Sequence, residues 1–310
     1  MSLKGKDLLT LKDWSSSEIF QVLDMAAKLK KENKEGKFHP LLKGKTLGMI
    51  FQKASTRTRI SFEVAMWQLG GYALFLNPQD LQMGRGEPIK DTARVLARYL
   101  EGIMIRTFSH SEVEELAHYA DVPVINGLTD TYHPCQALAD VLTIREHKGG
   151  FERLKVAYLG DGNNVAHSLI LACAKVGINI SLACPPGYEP EGEVVDWAKQ
   201  NRLLPDSEIT VTSSPQDALK NADAVYTDVW ASMGQEEEHK ERLQKFMPYQ
   251  LNMDLLKQAK PDAIVLHCLP AHREEEITDE VIEGTQSAVM DQAENRLHAQ
   301  KAVLALVMAD

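Results

Sequence analysis

Apolar and polar positions along the chain follow two alternating rhythms. Continuous apolar runs occupy Thr46–Phe51, Tyr72–Leu76 and residues 103–105 and 122–125. Runs of this length predict strands buried on both faces. Helical stretches separate them, each about long enough to carry the chain from one parallel strand to the next. A second series follows at residues 154–159, 178–183, Ile209–Thr212, 224–226, 263–266 and 288–290. Repeated strand–helix alternation in two series predicts an α/β chain with two open parallel sheets.

The punctuation between the runs refines this picture. Ser15 and Glu18 have capping-box spacing, and Ile19, Val22, Leu23, Ala26 and Leu29 follow at helical intervals, so an amphipathic helix opens the chain. A helical stretch over residues 134–147 ends in Lys148-Gly149-Gly150, a helix-stop signal and a hinge between domains. The expected first domain is residues 1–148 and the second 149–294. A closing helix over 295–308, with Leu297, Val303, Leu304 and Val307 on one face, packs residues 295–310 back on the first. The acidic runs Glu236-Glu237-Glu238 and Glu274-Glu275-Glu276 read as solvated faces.

Composition narrows the function classes. At 310 residues, with 44% hydrophobic and 25% charged positions, the chain has room for two buried cores at about 150 residues each. Acidic residues outnumber basic ones 44 to 34, a net charge of -10. Nucleic acid is therefore a poor partner, and an anionic ligand needs a local arginine site. No apolar run approaches the roughly 18 residues of a membrane span, and the N-terminal residues lead into no apolar leader. Cys135, Cys173, Cys184 and Cys268 form no C-x-x-C pair, which fits neither a zinc knuckle nor a disulfide framework and suits a reducing cytoplasm.

In open α/β sheets ligands bind beyond the carboxyl ends of the strands, which directs attention to the polar residues there. Ser55-Thr56-Arg57-Thr58-Arg59 offers hydroxyls, the free N–H groups of a starting helix and a guanidinium, a combination suited to phosphate. Arg57 and Arg59 are two apart and cannot both face one ligand, so Arg57 is assigned to the anion and Arg59 to a carboxylate pair. A plain helix cap with solvated arginines fits the same five residues. Arg106 and Asn126 end two further strands of the first series.

In the second series Gly160-Asp161-Gly162 lacks the third glycine of a dinucleotide fingerprint, Val165 standing there, and the next strand ends without a carboxylate. A nicotinamide cofactor is disfavoured, and the Asn163 and Asn164 amides are left to meet a ligand. His133 precedes a helix-starting Pro134, with Gln136 three residues on; the pair converges on a polar group or the histidine is a core residue. Asp228 is a ligand-binding carboxylate or a cap. Cys268, in His267-Cys268-Leu269-Pro270, is a site thiol or a small core hydrophobe.

In order, these residues resemble the carbamoyltransferases over nearly the whole chain, and within them the ornithine branch. Ser55-Thr56-Arg57-Thr58-Arg59 is similar to the family's carbamoyl-phosphate signature and His133-Pro134-Cys135-Gln136 to its second signature. Asp228 followed by Ser232-Met233-Gly234, together with His267-Cys268-Leu269-Pro270, indicates the ornithine branch; the aspartate branch carries proline in place of the cysteine. The stretch from Leu81 to Glu87 resembles the family's flexible loop, whose glutamine reaches carbamoyl phosphate on a neighbouring subunit.

The resemblance implies that Ser55, Thr56, Arg57, Thr58, Gln82, Arg106, His133, Pro134, Cys135, Gln136, Cys268, Leu269 and Arg296 surround carbamoyl phosphate. Asn164, Asp228, Ser232 and Met233 would hold ornithine. Arg106, His133, Gln136 and Cys268 would be catalytic. Two substrates held by different domains require those domains to approach each other, with the loop at Ser232-Met233-Gly234 as the expected lid. The implied reaction forms citrulline and phosphate, needs no metal or organic cofactor, and runs in a homotrimer or a multiple of trimers, with neither nucleic acid nor membrane as partner. A relative acting on aspartate, putrescine or N-acetylornithine, or a non-catalytic amino-acid-binding paralogue, competes with this reading. Asp228 with Ser232 and Met233 favours a free α-amino acid.

Overall fold

A computed structural model describes residues 2–231 and 239–310. The chain divides into two compact units, Met1–Ala139 with Asn295–Asp310, and Asp140–Glu294. The first carries β1 (Thr46–Phe51), β2 (Tyr72–Leu76), β3 (Gly102–Arg106) and β4 (Val124–Leu128), and the helices α1 (Ser16–Lys34), α2 (Thr56–Gln68), α3 (Ile89–Leu96) and α4 (His110–Tyr119). The chain leaves it within α5 (Pro134–Lys148). The second carries β5 (Lys155–Leu159), β6 (Asn179–Ala183), β7 (Ile209–Thr212), β8 (Ala224–Thr227) and β9 (Ile264–His267). Its helices are α6 (Asn164–Val176), α7 (Gly192–Gln200), α8 (Pro215–Leu219), α9 (His239–Phe246), α10 (Met253–Leu256) and α11 (Asp279–Ile282). The last helix, α12 (Val289–Met308), returns the chain to the first unit.

Both sheets are parallel, in the orders β2-β1-β3-β4 and β7-β6-β5-β8-β9. This is the two-sheet open α/β architecture that the strand–helix rhythm predicts. The central strands are buried along their length because helices cover both faces, whereas the edge strand β2 is only partly covered, with Tyr72 and Leu74 exposed. Ile50, Ile103, Ile105 and Val124 pack on Val113 and Leu116 of α4 in the first unit. Leu159, Val225 and Val265 pack with Leu251 and Ile277 in the second. Helix α1 begins as its spacing predicts, with Ser15 and Glu18 forming a complete capping box and its apolar stripe buried.

Sheet order fixes where a ligand fits. In each sheet the winding direction reverses once, between β1 and β3 and between β5 and β8, and the crevice beyond the strand ends opens at such a reversal. Register then brings distant residues together. Phe51 lies beside Arg106, and Leu159, Thr227 and His267 lie side by side on β5, β8 and β9. The residues next in sequence, Gly160, Asp228 and Cys268, leave the sheet together. The two glycines of the β5–α6 turn have separate reasons. Gly160 sits at φ 129, and a Cβ on Gly162 would lie 2.1 Å from the backbone nitrogen of Pro190.

Two expectations fail. Residues 288–290 are no strand: Ser287 makes an isolated bridge to Val265, and the chain then turns into α12 at Val289. Three apolar residues are too few to distinguish a strand from the first turn of a long helix, and Asp291 in that turn favours the helix dipole. Glu276 is not a solvated acid either; it is fully buried. Glu236-Glu237-Glu238 lies outside the described residues.

Candidate active site

The first cluster assembles where β1, β3 and the start of α5 end on one edge of the four-stranded sheet. Ser55 caps α2, its hydroxyl accepting the Thr58 N–H at 3.2 Å, so the first turn of that helix presents backbone N–H groups beyond β1. Thr56 is exposed, Arg57 half-buried and Thr58 buried. Arg59 leaves the cluster, pairing with Glu63 at 2.9 Å and lying over the Phe75 ring.

Arg296 reaches in from α12. Its guanidinium donates to the Gln136 amide oxygen at 2.6 Å and to the Thr58 hydroxyl at 3.0 Å, joining residues from three helices. His133, immediately before Pro134, is buried, and burial holds its imidazole well below the usual histidine pKa, with Arg296, Arg106 and Arg57 adding to the depression in that order. The histidine is therefore a neutral donor inside a cationic pocket. Cys135 is buried with its thiol donating to the Asn126 carbonyl, and desolvation pushes its pKa up to about 12. Pro134 is buried at the helix start, and Gln82 is exposed on a short 3₁₀ turn of this unit.

The second cluster forms beyond β5, β8 and β9. Asp228 is buried, and its carboxylate accepts from three donors: the Cys268 thiol at 2.8 Å, the Asn163 amide at 2.8 Å and the Val229 N–H at 2.8 Å. Asn163 also caps α6, accepting the N–H groups of Val165 and Ala166. One side chain thus fixes both a helix start and the carboxylate. Asn164 is half-buried at the first position of α6, Cys268 is half-buried, and Leu269 follows it at φ 57. Ser232 and Met233 lie outside the described residues.

Arg242 of α9 supports this cluster. It donates to the Asp161 carboxylate at 2.8 Å and to the Trp230 carbonyl at 2.7 Å, and lies against Tyr188 and Phe246. The turn after β5 and the segment after β8 are thereby tied together. Nothing in the spacing around Arg242 announces this, since its partners are 81 and 12 residues away in sequence. Asn163 carried a usable signal, standing as an N-cap residue just before an apolar helix.

Asp228, His267 and Cys268 offer ligand atoms within 4.8 Å of one another. Both ring nitrogens of His267 are engaged in hydrogen bonds, however, which leaves a carboxylate and a thiol as available donors. The arrangement suits recognition of an ammonium group better than a resident metal.

The profile described as "Aspartate/ornithine carbamoyltransferase, carbamoyl-P binding domain" matches residues 6–146, and that described as "Aspartate/ornithine carbamoyltransferase, Asp/Orn binding domain" matches residues 152–307. The chain belongs to the aspartate/ornithine carbamoyltransferase family. Among its relatives, the ornithine carbamoyltransferase of Thermococcus kodakarensis is 60% identical over 308 residues, covering 99% of this chain and 98% of that protein. That of Bacillus subtilis is 59% identical over 307 residues, covering 99% and 95%. The solved structure of the Pyrococcus furiosus ornithine carbamoyltransferase superposes with a TM-score of 0.97 at 59% identity, covering 99% of this chain and 98% of that one. Within this carbamoyltransferase chain, the arginine-rich cluster falls in the segments 55–58, 106 and 133–136 of the carbamoyl-P-binding match, with Arg296 supplied from the other end of the sequence.

Proposed function

We propose that the chain transfers the carbamoyl group of carbamoyl phosphate to the side-chain amine of L-ornithine, giving L-citrulline and phosphate. The observation that carries this reading is the buried cluster of His133 and Arg106 with Arg296, whose guanidinium joins Gln136 to Thr58. A neutral imidazole donor among fixed cations suits a ligand with a phosphate at one end and a carbonyl at the other. Arg57 and the start of α2 bind the phosphate. Arg106, His133 and the Thr58 hydroxyl stabilise the charge that develops on the carbonyl oxygen. Gln136, held by Arg296, receives the carbamoyl NH₂. Asp228 pairs with the α-ammonium of ornithine, and Cys268 orients the amine without forming a covalent intermediate. Asn164, Ser232 and Met233 complete the amino-acid site.

Attack forms the bond from nitrogen to the carbamoyl carbon and breaks the bond from that carbon to the phosphate oxygen. The nitrogen must shed its proton first, and an aliphatic amine holds it up to about pH 10.4. Turnover at limiting ornithine is therefore expected to rise with pH from 6 to 9. His133, held neutral well below the usual range, contributes nothing to that rise. His133→Asn should lower the rate at every pH and leave the shape of the rise intact; a flattened profile would assign the titration to His133 instead.

The test of the substrate assignment is carbamoyl phosphate supplied with ornithine, aspartate, putrescine or N-acetylornithine in parallel, with product identification. Citrulline as the dominant product supports the reading, and carbamoyl transfer to one of the others replaces it.

The chain is further read as a subunit of a homotrimer or a multiple of trimers, in which Gln82 serves a neighbouring copy. The first unit exposes Ile60, Trp67, Tyr72 and Tyr99, with Trp67 at 70% and Tyr99 at 73% of their full surface, side chains that a neighbouring copy would cover. Cysteines that are all free among the described residues suit the cytoplasm, and no described helix is long and apolar enough to cross a membrane.

A further inference from the structure

One member of the acidic run Glu274-Glu275-Glu276 is sealed from water. The side chains of Glu276 and His267 are both 0% exposed, with Nε2 of the imidazole 2.9 Å from Oε1 of the carboxylate. The same Oε1 accepts the His272 N–H at 2.7 Å, while Oε2 is buried with no hydrogen-bond partner. On the far side of the ring, Nδ1 of His267 accepts the Leu269 N–H at 2.8 Å.

These contacts determine where the imidazole proton sits. A ring nitrogen that accepts from a backbone amide carries no proton, so the single proton is on Nε2 and is donated to Glu276. The alternative tautomer would set an Nδ1–H against the Leu269 N–H and leave Nε2 without a donor for Glu276. Leu269 needs this hold, because its φ of 57 lies in the left-handed region that a leucine rarely adopts. The His267 backbone is itself pinned, its N–H donating to the Gln292 amide oxygen at 2.8 Å. The run from buried carboxylate to strained backbone is continuous: Glu276, His267, Leu269.

We propose that Glu276 is a positioning residue for carbamoyl transfer: by fixing the His267 tautomer it holds Leu269 in its left-handed conformation and so aims the thiol of the preceding Cys268 at the amine. The proposal rests on the assignment of Cys268 under the proposed function. It gives the buried carboxylate a task that packing alone does not require, since an apolar side chain would fill the same space without an unpartnered oxygen.

Three measurements on the full chain test it. In the wild-type protein, ¹⁵N spectra of labelled histidine should show one imidazole with unprotonated Nδ1 and protonated Nε2 that loses this signature in Glu276→Ala. Glu276→Ala should lower kcat by up to about a hundredfold, the loss expected when a reacting group is misplaced by about 1 Å, with its affinity for inorganic phosphate unchanged. Glu276→Gln, whose amide oxygen still accepts both N–H donors, should recover most of the lost turnover. Protonated Nδ1 at His267 in the wild type would overturn the proposal, even if Glu276→Ala fails to fold. So would full turnover in Glu276→Ala, or a parallel loss of phosphate affinity that marks general damage. If the wild type makes no citrulline while the tautomer is as expected, the functional reading fails and the structural role of Glu276 stands.

Discussion

Arg57→Ala is expected to lower kcat/KM for carbamoyl phosphate by about 10²- to 10³-fold, the usual loss when one fixed donor to a developing anion is removed. Two features make the loss large. Arg57 is the second residue of α2, so on the proposed reading its charge and the helix start act on one phosphate. The neighbouring cations have their own tasks: Arg296 is engaged with Gln136 and Thr58, and Arg106 closes a sheet strand beside Phe51. Stability should change little, because Arg57 is half-exposed. Steady-state kinetics with isothermal titration of inorganic phosphate check both halves. Unchanged phosphate affinity would remove Arg57 from the site.

Asp228→Asn is the second large effect, and it falls on the other substrate. The carboxylate gathers the Cys268 thiol, the Asn163 amide and the Val229 N–H, so its oxygens are held in place by three donors. An asparagine there loses the charge that pairs with the α-ammonium and turns an NH₂ toward one of those donors. The cost should be about 2–4 kcal/mol, or roughly 30- to 10³-fold in apparent ornithine affinity. Carbamoyl-phosphate binding should hold. Cys268→Ser keeps a donor toward Asp228 and should cost about tenfold or less. Equal losses in the two variants would make Cys268, and not Asp228, the centre of the amino-acid site.

Much of the scaffold was legible in the sequence because a parallel strand buried on both faces leaves an unbroken apolar run, as Thr46–Phe51 does. The edge strands Tyr72–Leu76 and Ile209–Thr212 also have the bounds their patterns predict, carried there by aromatic and β-branched residues. Residues 288–290 misled because local apolarity does not reveal whether the next residues continue a helix. That the polar residues of the first unit come together was legible for a physical reason: parallel strands put their carboxyl ends on one edge, so polar residues just past each run converge.

What stayed hidden depends on long-range pairing. Glu276 looked like a solvated acid beside Glu274 and Glu275, and only the fold buries it against His267. Arg242 reaches Asp161 across 81 residues. Asn163 was noticed as an amide beside a ligand, whereas its amide NH₂ is occupied by Asp228. Local spacing encodes elements and caps; ion pairs and buried supports emerge from register.

The most direct test of the central claim follows the carbamoyl carbon itself. With ¹³C-labelled carbamoyl phosphate and ornithine, the enzyme should convert the carbamoyl resonance into the ureido resonance of citrulline, releasing one phosphate for each citrulline formed. Arg57→Ala and Asp228→Asn should each suppress the conversion. Phosphate released without a ureido product, or a labelled ureido group on a different amine while ornithine stays unmodified, would contradict the account.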